Sequence, residues 1–282
     1  MRFGVTMFVT DRSIGIVELA QAVEERGLDS LWVPEHTHIP TSRRTPYPGS
    51  PDGVLPDEYR RCLDPFVALT AAAMAAPTLR VGTGILLVPQ HDPIVAAKAV
   101  ATIDVVTGGR FSLGIGFGWN EDEMNNHRVD YKTRREMGRE KLLAMRALWT
   151  QEEASFDGTY VHLPPSWSWP KPVQPGGPPV LIGGAAGPKL FHHIAEYADG
   201  WIPIGGRGIT EALPKLRAAF EEAGRDPGSV QVTPFGSIPD QGKLDYFESL
   251  GVNECVFQLP SAGADQVLPL LDKQAAIVAD RR

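Results

Sequence analysis

Two short stretches carry the residues whose types and spacing could do chemistry. In LWVPEHTHIP (31–40) Glu35, His36 and His38 close a strand-like run, and in LGIGFGWNEDEM (113–124) three glycines at alternate positions lead into Trp119, Asn120 and three acids. A histidine near neutral pKa is suited to exchanging protons, and a carboxylate beside it to orienting it. Glu35, His36 and His38 thus stand at one rim with residue types suited to proton chemistry. His36 and His38 also have the H-x-H spacing of a metal pair at a barrel rim, but that centre needs histidines and an aspartate at other strand ends. His192 and His193 fall inside a helical stretch and the last strand runs out in FQLPSAG, so no metal site is expected.

A glycosidase would pair Asn120 and Glu121 with a second carboxylate about 5 Å away. The corresponding end of strand seven, QVTPFGSIPD, offers only Asp240 beyond the turn. The plainer reading of Glu121, Asp122 and Glu123 is a helix N-terminus enriched in acid to complement its dipole.

The glycines of the second stretch fail the G-x-G-x-x-G spacing of a dinucleotide fingerprint. They leave a strand end bare, either to admit a flat ring or phosphate to the backbone or to relieve crowding inside a barrel. VGTGILL (81–87) is a second bare strand end, and PVLIGGAAGPKL (179–190) a third. In the third, Gly183, Gly184 and Ala185 lead into a helix, whose free N–H groups and dipole favour an anion.

The elements that must position these residues alternate. Strand-like runs at 2–9, 30–35, 79–88, 111–116, 179–184, 200–204, 230–236 and 254–259 are separated by helical spacing at 14–26, 64–76, 93–107, 133–149, 187–198, 210–223, 243–250 and 265–279. Eight βα repeats in a chain of this length predict an α/β fold, a (β/α)8 TIM barrel formed as one domain over 1–282. Two Pro- and Gly-dense segments, 37–61 after strand two and 156–178 before strand five, read as long loops. The first leaves the barrel face where active sites lie and is a candidate lid.

Composition narrows the partners. The 282 residues are 43% hydrophobic and 22% charged with a net charge of −7 and scattered Lys and Arg, which argues against nucleic acid or an anionic membrane as partner, since both need a concentrated basic face. A small-molecule substrate is expected. Cys62 and Cys255, the only cysteines, suit a reducing cytoplasm, and neither an export signal nor a membrane span is read. Arg43, Arg44, Lys171 and Arg207 are each placed to meet an anion or to lie solvated in a loop.

With these residues laid out, the chain resembles the luciferase-like monooxygenase superfamily and, within it, the F420-dependent oxidoreductases. The resemblance covers about the first 205 residues and is carried by MRFGV, LWVPEHTHIPTSRRTPYP, LRVGTGILLVPQHDPIVAAKAVATIDVVTGGRFSLGIGFGWNEDEM, LLAMRALWT, PKPVQPGGPPVLIGG and YADGWIPIG. It implies a (β/α)8 barrel holding a deazaflavin or flavin at its C-terminal face, with a bulge after strand three and a non-prolyl cis peptide at Gly84 and Ile85. It further implies that Gly116, Phe117, Gly118, Trp119 and Asn120 line the ring and ribityl chain, that Gly183, Gly184 and Ala185 take the phosphate, and that His36 and Glu35 face the reactive centre, Glu35 orienting His36. The implied cofactor is F420, with FMN and an externally reduced flavin as the alternative chemistry and a non-catalytic cofactor carrier as the alternative class. A homodimer is implied. One departure stands out: sugar-phosphate dehydrogenase relatives place a glutamate directly after the strand-four glycines, where this sequence has Trp119, pointing to a more apolar or planar substrate.

Overall fold

Three helices start at an aspartate or glycine followed by proline. Asp64 and Asp92 accept hydrogen bonds from the first free N–H groups of two helices whose first residues are Pro65 and Pro93. A left-handed Gly108 stops the second of them. Asp240, the stray acid near strand seven, caps a helix in the same way through the Lys243 N–H.

The computed structural model describes residues 1–206 and 208–281; Arg207 lies outside the described residues. In chain order the elements are β1 (Arg2–Thr6), α1 (Ile16–Glu25), β2 (Ser30–Val33), α2 (Pro65–Ala75), β3 (Arg80–Leu87), α3 (Pro93–Thr107), β4 (Phe111–Gly116), α4 (Glu121–Asn126), α5 (Arg134–Thr150), β5 (Ala154–Asp157), β6 (His162–Ser166), β7 (Val180–Gly183), α6 (Pro188–Tyr197), β8 (Gly200–Ile202), α7 (Ile209–Glu222), β9 (Gln231–Val232), β10 (Phe235–Ser237), α8 (Gln241–Ser249), β11 (Glu254–Gln258) and α9 (Ala264–Val278). The main sheet is parallel, in the order β10-β11-β1-β2-β3-β4-β7-β8-β9. Its two ends, β9 and β10, are halves of one run, and the parallel bridge from Ile204 to Phe235 joins them into a ring. The eight-stranded barrel read from the repeats is therefore the fold.

The whole of β2 and β4 is buried, as parallel strands covered on both faces must be. Packing inside the ring explains several of the bare strand positions. Trp32, Phe235, Leu181, Ile202 and Val256 fill the interior beneath a partly buried Ile85. A side chain at Gly82 would overlap the Trp32 ring, and one at Gly84 would overlap Phe235. At Gly116 a Cβ would lie 2.5 Å from Ile85 Cδ1 and 3.0 Å from its Cγ1. Relief of crowding is thus what these glycines provide directly.

The segment before strand five is more ordered than a loop. It contains the antiparallel hairpin β5–β6, whose turn is tied to α5 because the buried Glu140 accepts from the N–H groups of Thr159, Tyr160 and Val161. Lys171, in the same segment, donates to the Leu148 carbonyl at the end of α5, a capping role instead of an anion contact.

Candidate active site at the barrel mouth

His36 follows β2 at the C-terminal rim, and its side chain is only 6% exposed. Its Nδ1 lies 2.8 Å from Oε2 of Glu123, a fully buried residue on α4. A carboxylate only accepts, so Nδ1 carries the proton of this bond. Nε2 has no hydrogen-bond partner among the described residues. Asn120 Nδ2 approaches the same carboxylate oxygen at 3.5 Å, while Glu123 Oε1 and Asn120 Oδ1 are buried without partners.

Glu35 has a different task from the one expected. Its Oε2 accepts from the Leu87 N–H (2.6 Å) and its Oε1 lies 2.7 Å from His91 Nε2. It ties the end of β2 to the end of β3, and the carboxylate that orients His36 is Glu123. Just past the end of β2 the two side chains point apart, Glu35 toward the end of β3 and His36 toward α4. His38 also diverges from His36, with Nδ1 3.0 Å from Thr37 Oγ1 and Nε2 2.9 Å from Asn126 Nδ2.

The end of β3 carries both expected irregularities. Its register against β4 shifts between Thr83 and Leu86, and the Gly84–Ile85 peptide is cis. Ile85 emerges from this bulge over Gly116 and Gly183 and forms the apolar floor of the mouth.

The residues after β4 divide among several tasks. Gly118 makes the turn at φ 77°. Trp119 faces inward, its ring 6.1 Å from that of His36. Phe117, expected to line a cofactor, instead points outward beneath Arg135, against Gly138 of α5 and His193 of α6. Alternation along the strand decides: Gly116 faces in, so Phe117 faces out. After β7, Gly183 and Gly184 are partly exposed and Ala185 is exposed, and α6 begins with no side chain capping its N–H groups.

The segment 37–61 folds over His36. Tyr59 lies 5.1 Å from the imidazole, Tyr47 lies 5.7 Å from Trp119, and the two tyrosine hydroxyls are 2.9 Å apart. Burial pushes the Tyr59 phenol far above its ordinary pKa, so it stays neutral. Arg43 places its guanidinium 5.8 Å from the Trp119 ring centroid and donates to the Thr45 carbonyl, and Arg44 uses its backbone N–H on Asp122. Cys62 accepts the His36 N–H (3.2 Å), and burial raises its thiol to about 11.

Sequence reasoning missed Glu123, Asp122, Tyr47, Tyr59 and His91. Glu123 read as one of three acids at a helix start, which is where all three are found. The usable signal was the spacing from Asn120, since a residue three along a helical turn points back to the same side.

Comparison with known proteins follows the same line. A family described as luciferase-like monooxygenase matches residues 5–238. An uncharacterized protein of Mycobacterium tuberculosis is 44% identical over 281 residues, 99% of each chain. An F420-dependent glucose-6-phosphate dehydrogenase of Amycolatopsis mediterranei is 32% identical over 213 residues, covering 73% of this chain and 58% of that one. Among solved structures, an F420-dependent secondary alcohol dehydrogenase in complex with an F420-acetone adduct superposes over the whole of both chains with a TM-score of 0.78 at 19% identity.

Proposed function

The chain belongs to the luciferase-like monooxygenase family, and from that premise we propose that it is an F420-dependent oxidoreductase passing a hydride between the deazaflavin and a small organic substrate. The observation that carries the reading is the His36–Glu123 pair: a buried carboxylate fixes one imidazole nitrogen and leaves the other free beside an apolar, cis-bulged floor. The residues present fit the group. Ile85 offers an apolar surface, and the uncapped start of α6 behind Gly183, Gly184 and Ala185 offers N–H groups to a phosphate.

Bound there, F420 would supply a two-electron hydride acceptor or donor. The chain supplies the proton chemistry. His36 Nε2 takes the hydroxyl proton when a substrate carbinol is oxidised and returns it on reduction, while Glu123 stabilises the imidazolium so formed. Trp119, Tyr47 and Tyr59 exclude water and bring no charge of their own. This wall, with Trp119 in the place of a glutamate, favours an apolar or planar substrate over a sugar phosphate.

A second reading, an FMN-dependent monooxygenase fed with reduced flavin, is favoured by the family's own description. Fluorescence titration with oxidised F420 and with FMN separates the two. Micromolar or tighter binding of F420 alone supports the first, preference for FMN supports the second, and binding of neither refutes both.

We also propose a homodimer through α2 and α3. Val67, Met74, Ile94 and Val95 are each at least half exposed on these helices, and a helix apolar on all sides is normally covered. The exposed Trp169 is tied to α3 through its carbonyl, which accepts from Lys98.

A further inference from the structure

The segment 37–61 is held shut by α4, and we propose that Asp122 is a positioning residue for His36. Oδ2 of Asp122 accepts three hydrogen bonds from that segment: the Arg44 N–H (3.0 Å), the Thr45 N–H (3.0 Å) and the Thr45 hydroxyl (2.8 Å). These bonds, with those from Thr45 foremost, draw the Asp122 carboxyl below its ordinary pKa. Two residues after Thr45 stands Tyr47, whose hydroxyl meets that of Tyr59, and the Tyr59 ring lies on His36. Asp122 therefore fixes the roof of the imidazole, while its neighbour Glu123 grips Nδ1 from below.

The two grips share one short helix. At the end of α4 Asn126 reaches His38, and just past it His127 Nε2 lies 2.8 Å from Thr37 Oγ1, so the two residues that follow His36 are bound at the C-terminal end of that helix. Cys62 completes the frame, accepting the His36 N–H and donating to the His36 carbonyl (3.3 Å). With its ring gripped by α4 and covered by the loop that α4 fastens, His36 has its direction held from two sides, while its backbone is held through Cys62, which bridges to Thr10. Asp122 touches neither His36 nor the mouth; its effect passes through Thr45, Tyr47 and Tyr59. The inference rests on His36 as the proton-carrying group, and it is tested on the imidazole itself, without cofactor or turnover.

The experiment compares Asp122→Ala with the conservative Asp122→Asn in the full chain. One readout is the rate at which iodoacetamide alkylates Cys62, Cys255 being buried. The other is the Nδ1–H proton signal of His36 in protein labelled with 15N-histidine, assigned by its loss in His36→Gln. In Asp122→Ala alkylation should accelerate roughly tenfold or more, since loop opening no longer breaks bonds to a charged acceptor. The Nδ1–H signal should broaden away by solvent exchange. Asp122→Asn keeps an oxygen acceptor and should restore both readouts most of the way to the parent.

Unchanged readouts in Asp122→Ala overturn the proposal. So does faster alkylation with the His36 signal intact, which makes Asp122 a fastener of the loop alone, and so does absence of the signal from the parent. Should Asp122→Ala fail to fold, Thr45→Val removes a single donor; smaller changes in the same direction support the proposal, and silence on both readouts overturns it. Because no cofactor is present, failure of the F420 reading shows separately in the titration.

Discussion

Gly116→Ala tests what the bare end of β4 is for. The added methyl would lie 2.5 Å from Ile85 Cδ1 and 3.0 Å from Ile85 Cγ1, well inside van der Waals contact. Overpacking of this kind typically costs about 1–3 kcal/mol. Ile85 is partly exposed at the mouth and can swing upward, which sets the expectation near the lower end, about 1 kcal/mol. A chain of 282 residues unfolds with an entropy of roughly 0.6 kcal/mol/K, so that cost lowers Tm by about 2 °C. The displaced side chain narrows the mouth, and F420 affinity should fall with stability.

The Ile85→Val background decides the matter. Valine lacks Cδ1, so Gly116→Ala should there cost clearly less, with a coupling of at least about 0.5 kcal/mol by urea denaturation and with F420 affinity recovered. If the glycine instead clears space for the cofactor directly, Gly116→Ala leaves Tm unchanged, weakens F420 and stays weak in the Ile85→Val background. Equal costs in the two backgrounds would refute the steric assignment.

Three further outcomes are expected. His36→Gln should bind F420 within about threefold of the parent while turnover of any identified substrate falls by roughly 10²–10⁴; retained turnover sinks the assignment, and a parent inactive on every substrate favours the cofactor-carrier reading. Val67→Glu combined with Val95→Glu should convert a dimer to a monomer in sedimentation velocity, and a parent that already sediments as a monomer removes the proposed interface. His193 is buried with neither ring nitrogen partnered among the described residues, and burial holds its pKa below 6.5. The unfolded chain then binds a proton that the folded one refuses, so the stability is full above pH 6.5 and declines as pH falls toward the folded pKa. His193→Phe should flatten that decline and raise stability near pH 5.5 by about 1 kcal/mol; an unaltered urea midpoint against pH would count against it.

The fold was legible because its signals are periodic and local. All eight barrel strands and their eight helices stand where apolar runs and turn residues place them, and the bulge at Gly84 stands where the family resemblance puts it. What escaped depended on contacts distant in sequence. The β5–β6 hairpin is held by Glu140, a residue of α5 that reads as one more charge on a helix face, and α4 is too short for a period to reveal. Arg43 was read from its loop position as meeting an anion or lying solvated, whereas its guanidinium lies by an aromatic ring and on a carbonyl of its own loop.

The site shows the same division in sharper form. His36 was identifiable from the family resemblance and its place after a strand end, but its partner was not, because the resemblance and adjacency favoured Glu35, whose side chain turns toward Leu87 and His91. The carboxylate that reaches His36 comes from 87 residues away. The glycines divide similarly. Their pattern in sequence marked a place where something large approaches the backbone, yet among them Gly82, Gly84 and Gly116 accommodate Trp32, Phe235 and Ile85. The surface of the barrel mouth is built by those side chains, so the glycines shape the mouth at one remove. A substitution at Gly116 is therefore felt through Ile85, whereas one at Gly184, where a Cβ would meet nothing closer than Leu190 at 3.4 Å, is opposed by the backbone itself, whose φ of 158° L side chains rarely adopt.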